Sequence, residues 1–472
     1  MGVKQYITCA IPYVNAAPHA GHALEFIQGD TIARYHRLLD SEVILLSGAD
    51  ENALKNVQAA ESLGENVQAF VDKNAKLFQD LAEKLNVRFD VFQKGSDEKH
   101  HLASQKLWQL CAEQGDIYKK SYKGLYCVGC EAFYTPDELD EKGECFEHPG
   151  KKLEEVKEEN YFFKLSSYQD KLLQLIESEK YQIIPSFRKN EVISFIKSGL
   201  QDFSISRTNK RAKNWGVPVP GDPNQREYVW FDALNIYQSG IGFGWDEEKY
   251  KKWWPADLHV IGKGIIRFHA VYWPAILLSA GLALPKKLFV HDYITINGQK
   301  MSKTLGNIID PLEVIKKYGT DALRYYLLAK VSPFTDGDYS DEKMLETYNA
   351  DLANGLGNLV ARIAKLAEKV SFEITQTTEI FDPLVKERLE QFKFNEALGA
   401  IWQDIAALDK KINEVQPWKL EEEKLKEFLS ESAVKIRSIA LSLKPFLPET
   451  ADKILQQFSG QVTSSAPLFP RI

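Results

Sequence analysis

Two short segments, far apart in the chain, carry residue types suited to binding the phosphates of a nucleotide. The first, Pro18-His19-Ala20-Gly21-His22, follows a strand-like run and opens a helix-like run. His19 and His22 are three residues apart and therefore share one face of a helix, and Pro18 suits the first helical position. Two imidazoles beside the backbone N–H groups and the positive dipole end of a helix predict a phosphate site.

The second segment, Lys300-Met301-Ser302-Lys303-Thr304, places two lysines in a loop of small residues, from which they can swing onto the same phosphates. Each segment is weak alone, since the first can be a plain helix start and the second an ordinary basic surface loop. In their order, after the first strand and before a helix capped by Asp310-Pro311, they support each other. Together they predict an enzyme that activates a substrate with ATP.

The pair of segments resembles the signature of the class I aminoacyl-tRNA synthetases. In that family the first motif reads His-Ile-Gly-His and the second Lys-Met-Ser-Lys-Ser, so this chain differs only by Ala20 and Thr304 at variable places. The resemblance implies catalysis by His19, His22, Lys300 and Lys303. It also implies that Gly21 and Ser302 contact ATP together with these four residues.

Strand and helix patterns alternate over residues 4–115 and resume after residue 226, which is typical of a parallel sheet with ligands at the strand C-termini. A strand is predicted over residues 227–231, then others over 259–262 and 288–290; helical periods dominate after residue 345. The expected fold is α/β: a Rossmann-type catalytic domain split by a zinc-knuckle insertion and followed by an all-α anticodon-binding bundle. The predicted domains are 1–115 (first half of the catalytic domain), 116–226 (insertion, with the knuckle at about 126–149), 227–291 (second half), 292–344 (lysine loop and stem-contact region) and 345–472 (helical anticodon-binding domain).

Four residues within the insertion have the spacing of a metal site. Cys127 and Cys130 are followed by Cys145 and His148 in a C-x2-C…C-x2-H arrangement. Three thiolates and one imidazole suit tetrahedral Zn²⁺ and leave no open position, so one structural zinc per chain is expected. A zinc ribbon that binds RNA by itself remains open. The knuckle resembles the single-knuckle form of the methionyl-tRNA synthetases, and the insertion is too short to hold a large editing domain as well, which disfavours isoleucine, valine and leucine as substrates.

An aromatic cluster suits an unbranched thioether side chain, because sulfur packs well against ring edges. Without a resemblance to a known family, such a cluster is more often part of the hydrophobic core. The resemblance to methionyl-tRNA synthetases implies a methionine site and assigns the substrate ammonium to Asp50. The residues matched to that site are Ile11, Tyr13, Asp50, Trp230, Ala233, Tyr237, Ile265 and His269.

The chain departs from the family pattern in two places near this site. The family often has Gly-Lys-Asp where the chain has Gly262-Lys263-Gly264, and Gly-Thr-Asp-Glu-His-Gly where it has Gly48-Ala49-Asp50-Glu51-Asn52-Ala53. Neither departure removes a motif histidine or lysine.

Three residues near the C-terminus match the anticodon readers of the same family. Asn358 and Arg362 share a helix face, and Trp418 follows Pro417 in a later segment. The resemblance implies that they bind the CAU anticodon, which agrees with the stacking of splayed bases on aromatic rings and with edge contacts to amide and guanidinium groups. Without the resemblance, a surface ion pair and a half-buried core tryptophan are the simpler interpretation.

Bulk properties agree with a cytoplasmic enzyme. The 472 residues are 44% hydrophobic and 26% charged, with a net charge of −7 that does not exclude a local basic patch for RNA. No apolar run is long enough to span a membrane, and the N-terminus lacks a signal peptide's apolar core. The predicted partners are ATP with Mg²⁺, methionine and both initiator and elongator methionine tRNA. A monomer is expected, since the dimerising domain that many relatives append does not follow.

The predicted function is therefore methionine–tRNA ligase. Two alternatives within the same chemistry remain: a class I aminoacyl-tRNA synthetase of another specificity, and a His-x-Gly-His nucleotidyltransferase that adenylylates a small metabolite without tRNA. A zinc-containing RNA-binding protein without catalysis is the alternative from another class.

Overall fold

The computed structural model describes residues 3–127, 132–134, 139–145, 150, 152–296, 298–301, 308–374 and 380–472. The chain divides into two compact units. The sheet unit comprises Met1–Pro18, Ser41–Asp80 and Arg88–His291, and the helical unit comprises His19–Asp40, Leu81–Val87 and Asp292–Ile472.

Within the described ranges, the strands are β1 Lys4–Cys9, β2 Glu42–Ala49, β3 Val91–Lys94, β4 Ile117–Cys127, β5 Ala132–Tyr134, β6 Glu154–Phe163, β7 Gln182–Ile184, β8 Phe203–Ser204, β9 Ser206–Thr208, β10 Pro218–Val219, β11 Asp222–Glu227, β12 Leu258–Gly262, β13 Lys287–His291, β14 Ile294–Ile296, β15 Gln299–Lys300, β16 Gly337–Tyr339, β17 Glu373–Ile374 and β18 Gly460–Gln461. The α-helices are α1 Ala20–Leu38, α2 Leu54–Ser62, α3 Val67–Lys84, α4 Glu98–Glu113, α5 Gln169–Glu177, α6 Ser186–Lys197, α7 Asn209–Ala212, α8 Val229–Leu234, α9 Ile236–Ser239, α10 Glu247–Trp253, α11 Trp273–Ser279, α12 Pro311–Tyr318, α13 Thr320–Ala329, α14 Asp341–Thr347, α15 Asn358–Lys369, α16 Pro383–Glu390, α17 Phe394–Val415, α18 Glu422–Leu443 and α19 Pro448–Gln457.

The sheet unit is built on a six-stranded sheet in the order β3-β2-β1-β12-β13-β7. Every neighbouring pair in it is parallel, which confirms the predicted parallel sheet. The strands β1 and β2 are in register from Lys4 opposite Glu42 to Thr8 opposite Leu46. Because all carboxyl ends meet at one edge, the segments that follow β1, β2 and β12 lie at that edge.

Strand β7 lies within the predicted insertion and pairs with β13. The rest of that region supplies two antiparallel sheets, β5-β4-β6-β8 and β10-β11-β9. The apolar core of the unit includes the fully buried rings of Phe231, Tyr237 and Trp273.

Two sequence-based expectations about local structure are wrong. The predicted strand over residues 227–231 is instead the end of β11 followed by the helix α8. The β-branched and aromatic residues of this segment are typical of a strand. Every residue of α8 is buried, so the helix lacks the alternation of polar and apolar faces by which a helix is recognised in a sequence. Pro18 is also not the first helical residue, because α1 begins at Ala20 with His19 as its N-cap.

The helical unit contains α1 and the helices from α12 to α19, with small sheets β15-β14-β16 and β17-β18. As predicted, Asp310 caps α12 by accepting a hydrogen bond from the backbone N–H of Leu312 at 2.8 Å, and the helix ends before Gly319. The amphipathic helices α15 and α17 bury one face each, which agrees with the expected helical C-terminal region.

In the part of the chain that the structure describes, no helix has the length and apolar character needed to cross a membrane.

Candidate active site

The amino-terminal end of α1 is closed by its two histidines. The backbone N–H of Gly21 donates to Nδ1 of His19, and the backbone N–H of His19 donates to Nδ1 of His22, both at 3.1 Å. This reciprocal arrangement is a capping box built from imidazoles. The two rings lie 4.1 Å apart between centroids, so the structure brings the predicted pair together on one face.

Little space is left beside Gly21. A Cβ added there would lie 2.9 Å from His19 Cε1 and 3.1 Å from His19 Nδ1. A larger residue at position 21 would therefore require the His19 ring to shift. The backbone N–H of Ala20 also donates to the carbonyl oxygen of Ile309 at 3.2 Å, which ties the start of α1 to the segment before α12.

Helix α1 is anchored further along by a buried ion pair. Arg324 of α13 lies 2.8 Å from Asp30 of α1, and both side chains are fully buried. Arg324 also donates to the carbonyl oxygens of Phe446 at 2.7 Å and Pro445 at 3.1 Å. Removing one partner of such a pair would leave an uncompensated buried charge, so the pair holds α1 firmly within its unit.

The lysine segment is described only at its start. Strand β15 ends at Lys300, whose backbone pairs with Thr295 of β14. The side chain of Lys300, and Ser302 and Lys303 entirely, lie outside the described residues, so their roles stay predictions.

The predicted amino-acid pocket lies in the sheet unit, where the carboxyl ends of β1 and β2 meet. The backbone N–H of Asp50 donates to the carbonyl oxygen of Pro12 at 2.8 Å. The backbones of Tyr13 and Asp50 form an isolated parallel β-bridge. Asn56 Nδ2 donates to the carbonyl oxygen of Asp50 at 2.8 Å. Asp50 is only 2% exposed, so its position is set from several sides.

The aromatic residues assemble around Trp230. Its ring stacks on Phe268 at 3.7 Å with an interplanar angle of 2°, and meets Tyr13 edge to face at 6.2 Å and 88°. The ring of His269 meets Trp230 edge to face at 6.3 Å. Phe268 is a member of this cluster that the sequence did not single out, although it precedes the predicted His269.

A hydrogen-bonded chain joins three of the predicted pocket residues, Ile265, His269 and Tyr237. Nδ1 of His269 lies 2.9 Å from the carbonyl oxygen of Ile265 and must donate to it, because a carbonyl oxygen only accepts. Burial lowers the pKa of His269 to about 4. The ring is therefore neutral near pH 7, and its Nε2 accepts from the Tyr237 hydroxyl at 2.8 Å.

The remaining predicted pocket residues lie beside this cluster. Ala233 of α8 is buried, while Ile11 and Ile265 are partly buried against the core of the unit. The ammonium of Lys55 lies over the Tyr13 ring, 3.0 Å from its centroid, and was not predicted from the sequence. The arrangement offers an apolar aromatic wall beside a buried carboxylate.

The zinc prediction falls only partly on described residues. Cys127 and Cys145 are buried, form no disulfide and bring their sulfur atoms to 3.2 Å of each other. Cys130 and His148 lie outside the described residues. Among the residues that are described, no group of three or more candidate ligands is placed to hold a metal ion.

The predicted anticodon residues lie on the surface of the helical unit. Asn358 begins α15 and is exposed, and Arg362 of the same helix forms an ion pair with Asp409 and donates to Oδ1 of Asn413 at 2.9 Å. Trp418 follows α17 and is 51% exposed. This exposure suits a stacking platform better than a core position, and the roles of these residues stay predictions.

The comparisons with known proteins agree on one family. The family described as tRNA synthetases class I (M) matches residues 5–364. The methionine–tRNA ligase of Thermotoga maritima is 42% identical over 97% of this chain and 75% of its own length. The methionine–tRNA ligase of Brucella suis is 41% identical over 96% of this chain and 91% of its own.

Solved structures give the same result. Mycobacterium tuberculosis methionyl-tRNA synthetase in complex with methionyl-adenylate matches with a TM-score of 0.92 and 39% identity, over 99% of this chain and 100% of that one. The apo form of the same synthetase matches with a TM-score of 0.85 and 36% identity, over 100% of this chain and 99% of that one.

Proposed function

The chain belongs to the methionine–tRNA ligases of the class I tRNA synthetases, and from this membership we propose how its own residues carry out the ligase reaction. The enzyme joins methionine to methionine tRNA at the expense of ATP. The methionine carboxylate attacks the α-phosphate, and pyrophosphate leaves with the electrons of the broken P–O bond. The terminal ribose hydroxyl of the tRNA then attacks the adenylate carbonyl, and AMP leaves.

One observation carries the choice of amino acid: the buried carboxylate of Asp50 beside the aromatic cluster around Trp230. Asp50 pairs with the substrate ammonium, because a cation removed from water needs an anion. Trp230, Tyr13 and the neutral imidazole of His269 receive the thioether. Ile11, Ala233, Tyr237 and Ile265 complete the wall of the site.

The histidine motif and the lysine motif bind the phosphates of ATP. His19 and His22 donate to the phosphate oxygens, with the helix dipole of α1 behind them. Lys300 and Lys303 stabilise the charge that develops as pyrophosphate departs, so they act mainly on the transition state. Mg²⁺ arrives with ATP as part of the substrate, and the protein forms no covalent intermediate.

ATP–pyrophosphate exchange, run separately with each of the twenty amino acids, tests this assignment. Exchange with methionine alone, followed by methionine transfer to methionine tRNA, is expected. Exchange with another amino acid would reject the specificity, and exchange without tRNA charging would favour the tRNA-independent nucleotidyltransferase.

The knuckle is a structural zinc site held by Cys127, Cys130, Cys145 and His148. The support is the convergence of two buried, unbridged thiols, Cys127 and Cys145, a donor set that suits Zn²⁺. Metal analysis of purified, reduced protein should find about one zinc per chain. Protein with intact thiols and no zinc would reject this site.

Asn358, Arg362 and Trp418 form the anticodon contact, supported by the exposure of Asn358 and Trp418 and by the partial exposure of Arg362. The domain boundaries, the monomeric state and the cytoplasmic location stay predictions. Light scattering near the chain mass of 53.7 kDa would agree with a monomer.

A further inference from the structure

A single buried carboxylate links several segments of the sheet unit. Asp232 of α8 is 1% exposed. Its Oδ2 accepts from Asn52 Nδ2 at 2.7 Å, and its Oδ1 accepts from His100 Nε2 at 2.6 Å and from the Ser104 hydroxyl at 3.1 Å. Nδ1 of His100 in turn lies 2.7 Å from the Ser239 hydroxyl.

This carboxylate is charged despite its burial. Burial alone raises the pKa of Asp232, but the nearby His100, its hydrogen bond and the Asn52 hydrogen bond outweigh it and leave the pKa below its ordinary value. Hydrogen bonds to an anion in a dry interior are strong, and losing one is correspondingly costly. The cluster therefore fixes the positions of its members relative to each other.

Three of the linked segments also carry residues of the amino-acid pocket. Asn52 follows Asp50 by two residues, and Asp232 lies between Trp230 and Ala233. Ser239 follows the pocket residue Tyr237 by two residues. Helix α4, which supplies His100 and Ser104, carries no predicted pocket residue.

The side chains of Asp232 and Trp230 leave α8 in different directions, because residues two apart do not share a helix face. Asp232 thus acts through the backbone of α8, and its bond to Asn52 spans from the pocket wall to the segment that carries Asp50. A misplacement of about 1 Å in such a segment can cost roughly 100-fold in rate.

We propose that Asp232, through its hydrogen bond with Asn52, is a positioning residue that sets the distance between the Asp50 carboxylate and the aromatic wall, and so determines recognition of the substrate's α-ammonium. This inference rests on the proposed function, in which Asp50 binds the ammonium. It adds two residues, Asn52 and Asp232, that touch no substrate atom.

The test perturbs the Asn52–Asp232 hydrogen bond from both sides. Asn52→Leu removes the donor, together with its hydrogen bond to the carbonyl oxygen of Gly95 at 2.8 Å, and Asp232→Asn replaces the charged acceptor by a neutral and therefore weaker one of the same shape. Asn52→Ala is measured in parallel, so that a variant of smaller volume is at hand if leucine prevents folding. Ser104→Ala is the matched control, because it removes a hydrogen bond to the same carboxylate from a helix without pocket residues.

Methionine-dependent ATP–pyrophosphate exchange is measured with each variant. Each variant of Asn52 or Asp232 should raise the KM for methionine roughly tenfold to a hundredfold, because a misplacement of about 1 Å between binding groups can cost roughly 100-fold. The KM for ATP should change by less than about twofold. The effect of the double variant Asn52→Leu/Asp232→Asn should be smaller than the product of the two single effects, because both single variants weaken or remove the same Asn52–Asp232 hydrogen bond.

A substrate analogue isolates the ammonium. Inhibition by 4-(methylthio)butanoate, which has the thioether and carboxylate but no amine, should be unchanged by Asn52→Leu. Ser104→Ala should lower the melting temperature while leaving the KM for methionine within about twofold. A purely structural role predicts instead that methionine and the analogue weaken together and that Ser104→Ala behaves like the other variants, and either result overturns the proposal.

Asp50→Ala distinguishes a failure of the positioning role from a failure of the proposed ammonium binding by Asp50. If Asp50→Ala raises the KM for methionine and the Asn52 and Asp232 variants do not, only the positioning role fails. If Asp50→Ala itself leaves methionine recognition intact, the ammonium assignment fails and the positioning role fails with it.

Discussion

The buried cluster around Asp232 in the sheet unit and the surface cluster around Arg362 in the helical unit use the same chemical groups in opposite settings. In the buried cluster, Asp232 accepts hydrogen bonds from the His100 ring and the Asn52 amide. In the surface cluster, Arg362 pairs with Asp409 and donates to the Asn413 amide oxygen. Asp232 is almost completely shielded, whereas the side chains of Arg362 and Asp409 are 29% and 41% exposed.

The exposure of each cluster determines how much free energy is lost when its charged pair is broken. Breaking a buried pair costs about 3–5 kcal/mol, because the remaining charge stays buried, while an exposed pair is worth about 0–1 kcal/mol. The buried cluster can therefore fix a small substrate site. The exposed one can release Arg362 at little cost, as its proposed contact with the anticodon requires.

The largest effect should come from the buried side of this comparison. Asp50→Ala removes the anion proposed to pair with the methionine ammonium, and a loss of about 3–5 kcal/mol corresponds to a fall of roughly 150- to 5,000-fold in kcat/KM for methionine. Methionine-dependent ATP–pyrophosphate exchange measures it. Asp80→Ala, at a partly exposed acid of the same unit, is the control. Retention of activity within about fivefold would contradict the role of Asp50.

The second largest effect is expected at Trp418, on the exposed surface of the helical unit. Trp418→Ala should lower kcat/KM for aminoacylation of methionine tRNA by roughly tenfold to a hundredfold, because a stacked base is worth about 1–3 kcal/mol. Exchange without tRNA should remain almost intact. Phe187→Ala, at another exposed ring, controls for general surface effects. Parallel losses in exchange and aminoacylation with a lower melting temperature would show that Trp418 is only structural.

A smaller effect tests whether Arg362 is released as easily as the comparison requires. Asp409→Ala removes the partner of Arg362 on the surface, so aminoacylation should change by no more than about threefold and the melting temperature hardly at all. Aminoacylation at two salt concentrations provides the measurement. A tenfold loss of kcat/KM would mean that Asp409 positions Arg362 in the way that Asn52 is proposed to position its own segment.

The smallest effect is on stability and depends on pH. Burial, and then the charge of Asp232, raise the pKa of Glu227 well above its ordinary value. The folded state thus holds a proton that the unfolded state loses, so this carboxyl stabilises the fold at low pH and its contribution declines as pH rises above about 4.5. Glu227→Gln should raise the melting temperature at pH 8 by about 2–4 °C and have little effect at pH 4. An equal shift at both pH values would contradict the raised pKa.

The sequence predicted those features that depend on local patterns. The histidine pair on one helix, the cap at Asp310 and the strands β12 and β13 each follow from spacing or composition over a few residues. Helix α8 was missed because burial on all sides removes the amphipathic period by which a helix is recognised. The start of α1 was misplaced because histidine is not among the usual N-cap residues.

The Asp232 cluster could not be predicted from the sequence for a different reason. Asn52, His100 and Asp232 come from separate segments, and their types and spacing along the chain carry no signal until the sheet brings them together. Phe268 shows the same limit on a smaller scale. It lies next to a predicted residue, but only its stacking on Trp230 reveals what it does.

The capping box of α1 has a consequence for where the protons of the active site lie. Nδ1 of His19 and Nδ1 of His22 each accept a backbone N–H, so in both neutral rings the proton lies on Nε2. In this tautomer the Nε2–H of each histidine is the donor available for the proposed contact with phosphate, without a charge on the ring. Protonation at Nδ1 would set an N–H against the amide that it now accepts and open the start of the helix.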